Sequence, residues 1–401
     1  MRDVFSGRTV VVTGADHPTG LGAGRALSRH GATVIGATRS LSAATCRSRV
    51  WKELVHVRHD PAADPSATWL GTLLRTAETH QTRAFLLPTQ DHLVALVSRH
   101  RNLLQPDFSF VLPDDEVVQT LLDKTQFYDW ARERDLPIPE SRIVNDSSAL
   151  QHALEEMPYP LVIKPLLRTR EWNRASPVDK VLRLDDPKQI AAVGFDLFAV
   201  APSYVISQWI EGPDSMVHFC LAYCDEPGRV AASFTGRKLL QYPRMTGSTA
   251  IATGTENDEL KQLTERLFRL CNFVGLGSLE VKYGPDGRPY ITEPTVGRPN
   301  LQSYAAVASG CNLQAIAMAH ALGMEPPPVE KSRRCVWLEE QGTLELLGTR
   351  SDAPVEWRLL LNEGIRAHRF AAAFWSWRDP MPFLALAWHR LRRIMRKLLR
   401  R

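Results

Sequence analysis

Apolar positions near the start of the chain form short continuous runs, and further on they alternate with polar ones. Thr9-Val10-Val11-Val12-Thr13 is an apolar run of strand length. It leads into Gly14, Gly20, Gly22 and Gly24, a helical stretch at 23–27, and a second strand at Ala32-Thr33-Val34-Ile35. That order predicts a βαβ opening and a parallel sheet. Ala84-Phe85-Leu86-Leu87 reads as another buried strand, followed by Pro88, Thr89, Gln90 and Asp91 and a helix over 92–103; residues 108–112 close the sheet. Ligands of open α/β sheets bind at the carboxyl ends of strands, so Thr89 and Asp91 are candidates to face a substrate, unless they only cap the helix.

The middle of the chain predicts a different architecture. Strands are expected at 159–165, 204–210, 216–223 and 230–240, and Leu260, Leu263, Leu267, Leu270 and Cys271 mark the core-facing stripe of a helix. Residues 275–300, GLGSLEVKYGPDGRPYITEPTVGRPN, read as a hairpin whose turn is Gly284-Pro285-Asp286-Gly287. If Tyr283 pairs with Tyr290, Val281 faces Thr292 and Glu280 faces Glu293, with Cβ atoms about 4.5–5.5 Å apart. Opposed carboxylates repel unless a cation or proton lies between them, and two hard oxygen ligands suit a Mg²⁺ carried on nucleotide phosphates. A register slipped by one residue separates the two glutamates. Residues 301–322 read as one helix of small residues, Pro326-Pro327-Pro328 breaks the chain, and everything from residue 331 reads as an appendage.

With 401 residues and 44% apolar content, two or three domains are expected. The net charge of +5 is uneven: beyond Asp379 the tail carries +7, and residues 1–379 sum to −2. A body that is not basic speaks against nucleic acid as a partner. Six scattered cysteines without paired C-x-x-C groups argue against zinc and for reduced thiols in the cytoplasm. The N-terminus offers no secretory apolar region, and no segment has the ~18 apolar residues of a membrane-spanning helix.

Five ordered blocks carry a resemblance. They are the Asp123-Lys124 pair ahead of Pro137-Ile138-Pro139, the strand ending in Lys164-Pro165, the segment Gln208-Trp209-Ile210-Glu211-Gly212-Pro213-Asp214, Glu280, and Glu293-Pro294-Thr295-Val296-Gly297-Arg298. Over roughly residues 8–325 the chain resembles the ATP-grasp superfamily, of the carboxylate–amine ligase type. The resemblance implies a mixed α/β and α+β protein: a Rossmann-like domain over 1–120 and a two-lobed ATP-grasp domain over 121–330, with a small lobe at about 140–208 and a large lobe at about 209–325. An extension over 331–401 follows. It further implies that Lys124 and Lys164 reach the phosphates of ATP, that Gln208, Trp209 and Ile210 edge the adenine, and that Asp214 takes the ribose. Glu280, Glu293 and Thr295 are the implied Mg²⁺ ligands; Arg298, Lys238 and Arg237 are implied to handle the transferring group and the carboxylate. Thr295 stands where the family usually has asparagine, and Arg298 comes one residue later than the usual arginine. The loop after Lys164, with Arg168, Arg170 and Arg174, lacks the family's glycines, leaving its arginines as candidate phosphate donors.

The implied activity is formation of an amide through an acyl phosphate, with ATP and Mg²⁺, from a small carboxylate and an amine: an amino acid, a small peptide or a sugar acid. Two alternatives stand beside it. One is an NAD(P)-dependent oxidoreductase using the Gly14–Gly24 loop; the other is an ATP-binding module without turnover. A homodimer is left open.

The tail is predicted to be an amphipathic helix over 383–401. Leu384, Trp388, Leu391, Met395 and Leu398 share one face, and Arg393, Arg396, Lys397 and Arg400 flank it. An anionic membrane surface on the cytoplasmic side is the expected partner; the protein's own acidic body or another protein are the alternatives.

Overall fold

The computed structural model describes residues 3–58, 64–81, 83–166, 169–175, 181–330, 334–348 and 356–399. Its first sheet holds β1 (Thr9–Thr13), β2 (Thr33–Thr38), β3 (Trp51–His56), β4 (Ala84–Leu87) and β5 (Phe108–Ser109), all parallel in the order β3-β2-β1-β4-β5. Val10, Val11 and Val12 are at most 1% exposed, as expected of a central strand covered on both faces.

β6 (Ser141–Val144), β7 (Leu161–Pro165), β8 (Leu182–Leu184) and β9 (Tyr204–Gln208) form an antiparallel sheet in the order β6-β9-β7-β8. This small lobe has its own core, centred on the fully buried Trp172 and Tyr204.

The third sheet joins β10 (Val217–Glu226), β11 (Arg229–Tyr242), β12 (Ser248–Gly254), β13 (Gly275–Tyr283), β14 (Pro289–Val296), β15 (Cys335–Leu338) and β16 (Arg369–Ala372). Their order is β14-β13-β10-β11-β12-β15-β16. One apolar cluster runs from Val10 and Phe85 of the first sheet through Phe219 to Trp337 and Phe374, so the N-terminal domain and the large lobe share a core that the small lobe does not.

Three expectations are corrected here. The segment after residue 331 is no appendage: β15 pairs antiparallel with β12 and adds β16 beyond it, since the edge of β12 presents unpaired N–H and C=O groups that the apolar run at 335–338 satisfies. The helix expected over 301–322 is two helices, Ser303–Ser309 and Leu313–Ala321, ended and restarted at Gly310 with φ +104°. The tail helix starts slightly earlier than expected, at Met381–Leu398.

Asp379 ties the C-terminal segment to the N-terminal domain. Its carboxylate accepts from the Arg25 guanidinium at 2.9 Å, the Ser48 hydroxyl at 2.5 Å and the Arg49 N–H at 3.1 Å, and Arg25 also donates to the carbonyls of Ala373 and Phe374.

Candidate active site

The large-lobe hairpin brings Glu280 opposite Glu293, by a route the sequence did not show. Counting from the turn, Tyr283 pairs with Pro289, Lys282 with Tyr290 and Val281 with Ile291, one residue away from the expected register. Continued unbroken, that register would set Glu280 against Thr292 and turn Glu293 to the other face. A bulge at Thr292 restores the pairing. The Thr292 hydroxyl donates to the Glu280 carbonyl at 3.1 Å, holding the extra residue in place.

These strands floor a cleft of about 830 Å³ that lies between the two lobes and ends against the N-terminal domain. Lys164, Gln208, Trp209, Ile210, Lys238, Glu280, Glu293, Thr295 and Arg298 all line it. Lys238 reaches across β10 from β11, its Nζ 2.9 Å from Glu280 Oε2 and 3.1 Å from Gln241 Oε1. Glu293 is hemmed in by protein yet opens into the cleft, and its carboxyl is pushed above the usual carboxylate range by burial and then by the Glu280 and Asp91 charges. Arg298 is held by Asp91, its Nη2 3.1 Å from Oδ2. The Asn300 amide donates to the Thr295 hydroxyl at 3.3 Å.

Two carboxylates, one of them holding its proton more tightly than usual, and a neighbouring hydroxyl are a donor set that a hard divalent cation relieves. No cluster of three or more His, Cys, Asp or Glu that could hold a metal occurs among the described residues. A donor set of two carboxylates and a hydroxyl fits a Mg²⁺ that brings part of its coordination with it on phosphates.

At the hinge between the lobes, the Gln208 and Trp209 N–H groups donate to the carbonyls of Glu140 and Pro160, both at 2.8 Å. Ile210 lines the cleft, and its N–H has no partner among the described residues. The Trp209 ring has the Lys282 ammonium 4.4 Å from its centroid and the Arg183 guanidinium at 5.3 Å. Burial pushes Lys282 down to about 8, against the pull of Asp214 and Glu211.

Three residues expected at the site are elsewhere. Lys124 is exposed in the first turn of its helix and does not line the cleft; Tyr128, one turn later, does, with its hydroxyl 3.5 Å from Lys164 Nζ. Asp214 is 1% exposed and accepts from the Gln241 N–H and side-chain amide, Arg244 Nε and the Met245 N–H. Its carboxylate holds the loop after β11 against the lobe instead of turning to the cleft. Arg237 is adjacent to Lys238 on a strand and so points to the opposite face, where it pairs with Glu363 at 2.9 Å. Of the arginines after Lys164, Arg168 and the Arg170 side chain lie outside the described residues.

Other cleft residues were not singled out from the sequence. Lys282 lies two positions from Glu280 on the same strand face, a period-2 relationship that could have found it. His17 caps the helix Pro18–Ser28, its Nδ1 accepting from the Thr19 N–H at 3.3 Å, and burial lowers its pKa. The nearby glycines serve packing: a Cβ on Gly20 would meet the Gly14 carbonyl oxygen at 2.3 Å. Gly247, in the loop that Asp214 holds, admits no side chain either, since a Cβ there would lie 2.0 Å from the Tyr242 carbonyl carbon.

No family model matches the chain. It is similar to the D-aspartate ligase of Enterococcus faecium (strain Aus0004), 23% identical over 276 residues, which are 66% of this chain and 65% of that protein. The chain thus spans a little under two thirds of this relative's length. Among solved structures, an ADP complex of N5-carboxyaminoimidazole ribonucleotide synthetase superposes with a TM-score of 0.63 at 12% identity, covering 91% of this chain and 97% of that one. An L-amino acid ligase from Bacillus licheniformis gives a TM-score of 0.57 at 16% identity, covering 82% and 78%.

Proposed function

We propose that this chain, whose fold is that of the ATP-grasp superfamily, is an ATP-dependent carboxylate–amine ligase. The observation that carries the reading is the meeting of Lys164, the hinge 208–210 and the opposed Glu280 and Glu293 around one cleft. The unpartnered Ile210 N–H donates to the adenine edge, and Lys164 and Lys282 supply positive charge to the phosphates. Glu280, Glu293 and Thr295 would hold a Mg²⁺, which would supply positive charge to the transferring phosphoryl group.

A carboxylate is a poor electrophile. Its oxygen takes the γ-phosphoryl group as the bond from phosphorus to the ADP oxygen breaks, giving an acyl phosphate and ADP. The amine then bonds to the acyl carbon, inorganic phosphate leaves with the C–O electron pair, and the nitrogen releases a proton to solvent. Arg298, fixed by Asp91, binds the carboxylate and the phosphoryl group that its oxygen takes up. Lys238 offsets the Glu280 charge and stands beside the transferring group.

The relative's name makes D-aspartate the first carboxylate to try. The test is ADP release by the purified full chain with Mg-ATP, D-aspartate and a panel of amines. Release that requires both a carboxylate and an amine supports the reading. Nucleotide binding without such release returns it to a module that lacks turnover, and turnover of NAD(P)H with no ATP effect overturns it.

We also propose a cytoplasmic location at an anionic membrane surface. No helix among the described residues is long and apolar enough to cross a membrane. The outer face of the helix Met381–Leu398 leaves Leu384, Trp388, Leu391 and Met395 41–51% exposed amid arginines, with Trp377 just ahead of it at 88%. Apolar side chains among basic ones, with no acid beyond Asp379, fit an interfacial helix.

A further inference from the structure

A second cleft, of about 630 Å³, opens beside the first. His17, Ser248, Thr249 and Leu301 line both, so the two clefts adjoin at these residues. Among the described residues, none of the small lobe or the hinge borders the second one. It lies instead between the N-terminal domain, the loop after β11, and the C-terminal segment.

Its charge is distinctive at the end formed by the C-terminal helix. Arg390 and Arg393 both turn to a single carboxylate, Glu345, at 3.5 and 2.7 Å. Two guanidinium groups share this carboxylate, and each carries five N–H donors in a fork suited to carboxylate or phosphate; Asp16 is a further carboxylate in the lining. Glu339, also in the cleft, spends its oxygens on the Gln341 and Gly342 N–H groups, and burial raises its pKa.

We propose that the second cleft seats the amine substrate, and that Arg390 and Arg393 bind an anionic group, carboxylate or phosphate, at its far end. This rests on the ligase reading above. The carboxylate substrate must touch the γ-phosphate and therefore belongs in the first cleft. The amine must reach the acyl carbon from a side the nucleotide does not occupy, and the shared boundary at His17, Thr249 and Leu301 is that side. A volume of about 630 Å³ accommodates an acceptor larger than a single amino acid, so the amine and the anion lie at opposite ends of an extended molecule.

The test uses the full chain and matched probes: glycylglycine against glycylglycinamide, and O-phosphoethanolamine against ethanolamine. Binding of each is measured by calorimetry with the first cleft filled by Mg-AMPPNP, whose own affinity is measured beforehand. At least one anionic probe is expected to bind about tenfold tighter than its neutral partner, and which pair shows it identifies carboxylate or phosphate. Arg390→Gln with Arg393→Gln is expected to erase the difference, and Glu345→Gln, which frees both guanidinium groups, to enlarge it several-fold; Mg-AMPPNP affinity stays unchanged in all. A merely structural role would weaken binding in both variants alike. Equal binding of charged and neutral probes, or a preference that survives loss of both arginines, overturns the proposal. Absent Mg-AMPPNP binding would count against the ligase reading alone, because the anion preference is read separately.

Discussion

Lys238 and Glu280 stand on strands that are not neighbours, yet their side chains meet at 2.9 Å over β10, between them. The pair puts a buried ammonium beside one of two opposed carboxylates. Glu280 thus has a counter-charge, while Glu293, buried and facing the Glu280 carboxylate, holds its proton more tightly than usual.

Glu293→Gln is expected to lower ligase turnover by at least ~10²-fold, through lost stabilisation of the transferring group, while the fold is kept. Folding raises the Glu293 pKa, so in the nucleotide-free protein the folded state holds a proton that the unfolded state releases, and stability falls as pH rises above 4.5. The variant is therefore expected to melt above the wild type at pH 7.5, with the gap closing toward pH 4.5. Near-normal ADP release by a folded variant would remove Glu293 from the chemistry.

Lys282 titrates at about 8, within reach of ordinary buffers. ATP affinity is expected to fall as pH rises through that value, because the group facing the phosphates loses its charge. Lys282→Met is expected to bind roughly tenfold more weakly at pH 7 and to lose the pH dependence. Calorimetry between pH 6.5 and 9 decides it; identical profiles for both proteins would place Lys282 away from the nucleotide.

Lys164→Ala is expected to weaken ATP binding by about tenfold or more with little change in melting temperature, since the side chain is half-buried and its described contact is with the Tyr128 hydroxyl. Unchanged nucleotide affinity would set this lysine outside the site.

Asp379→Asn leaves the buried Arg25 guanidinium without its counter-charge, and a loss of about 3–5 kcal/mol in urea unfolding is expected. Burial by itself would raise the Asp379 carboxyl, but hydrogen bonds from Ser48, Arg25 and the Arg49 N–H together hold it below the ordinary value. Its contribution is therefore present at neutral pH and lost as pH falls through 3.8 and below, and the difference between the two proteins should shrink there. A variant as stable as the wild type at pH 7 would show that the C-terminal segment is anchored by other contacts.

Wild-type protein is expected to float with vesicles containing anionic phospholipid at low salt and to be released by high salt. Trp388→Glu with Leu391→Glu should abolish flotation without touching turnover of soluble substrates. Wild-type protein that stays at the bottom of the gradient, or a double variant that still floats, excludes the membrane surface.

Whatever depends on neighbours in sequence was legible beforehand. The apolar run of β1, the hairpin at 275–300 and the tail helix announce themselves by local periodicity, because burial of one face dictates the spacing of side chains along a single element. The blocks at Lys164, 208–210, 280 and 293–298 were equally readable, and they do line one cleft.

Tertiary structure decided the rest. Nothing local distinguishes Thr292 as the residue that bulges, though that bulge returns Glu293 to the side of Glu280. Whether Asp214 faces a ligand or the protein depends on a loop 27 to 31 residues away that supplies its donors. Lys238 and Arg237 are adjacent basic residues, and only the placement of β11 in its sheet gave one to the cleft and the other to Glu363. The second cleft draws its walls from residues near 17, 248 and 390. A sequence pattern records how one element meets its surroundings, whereas which elements become those surroundings is settled by packing the whole chain at once.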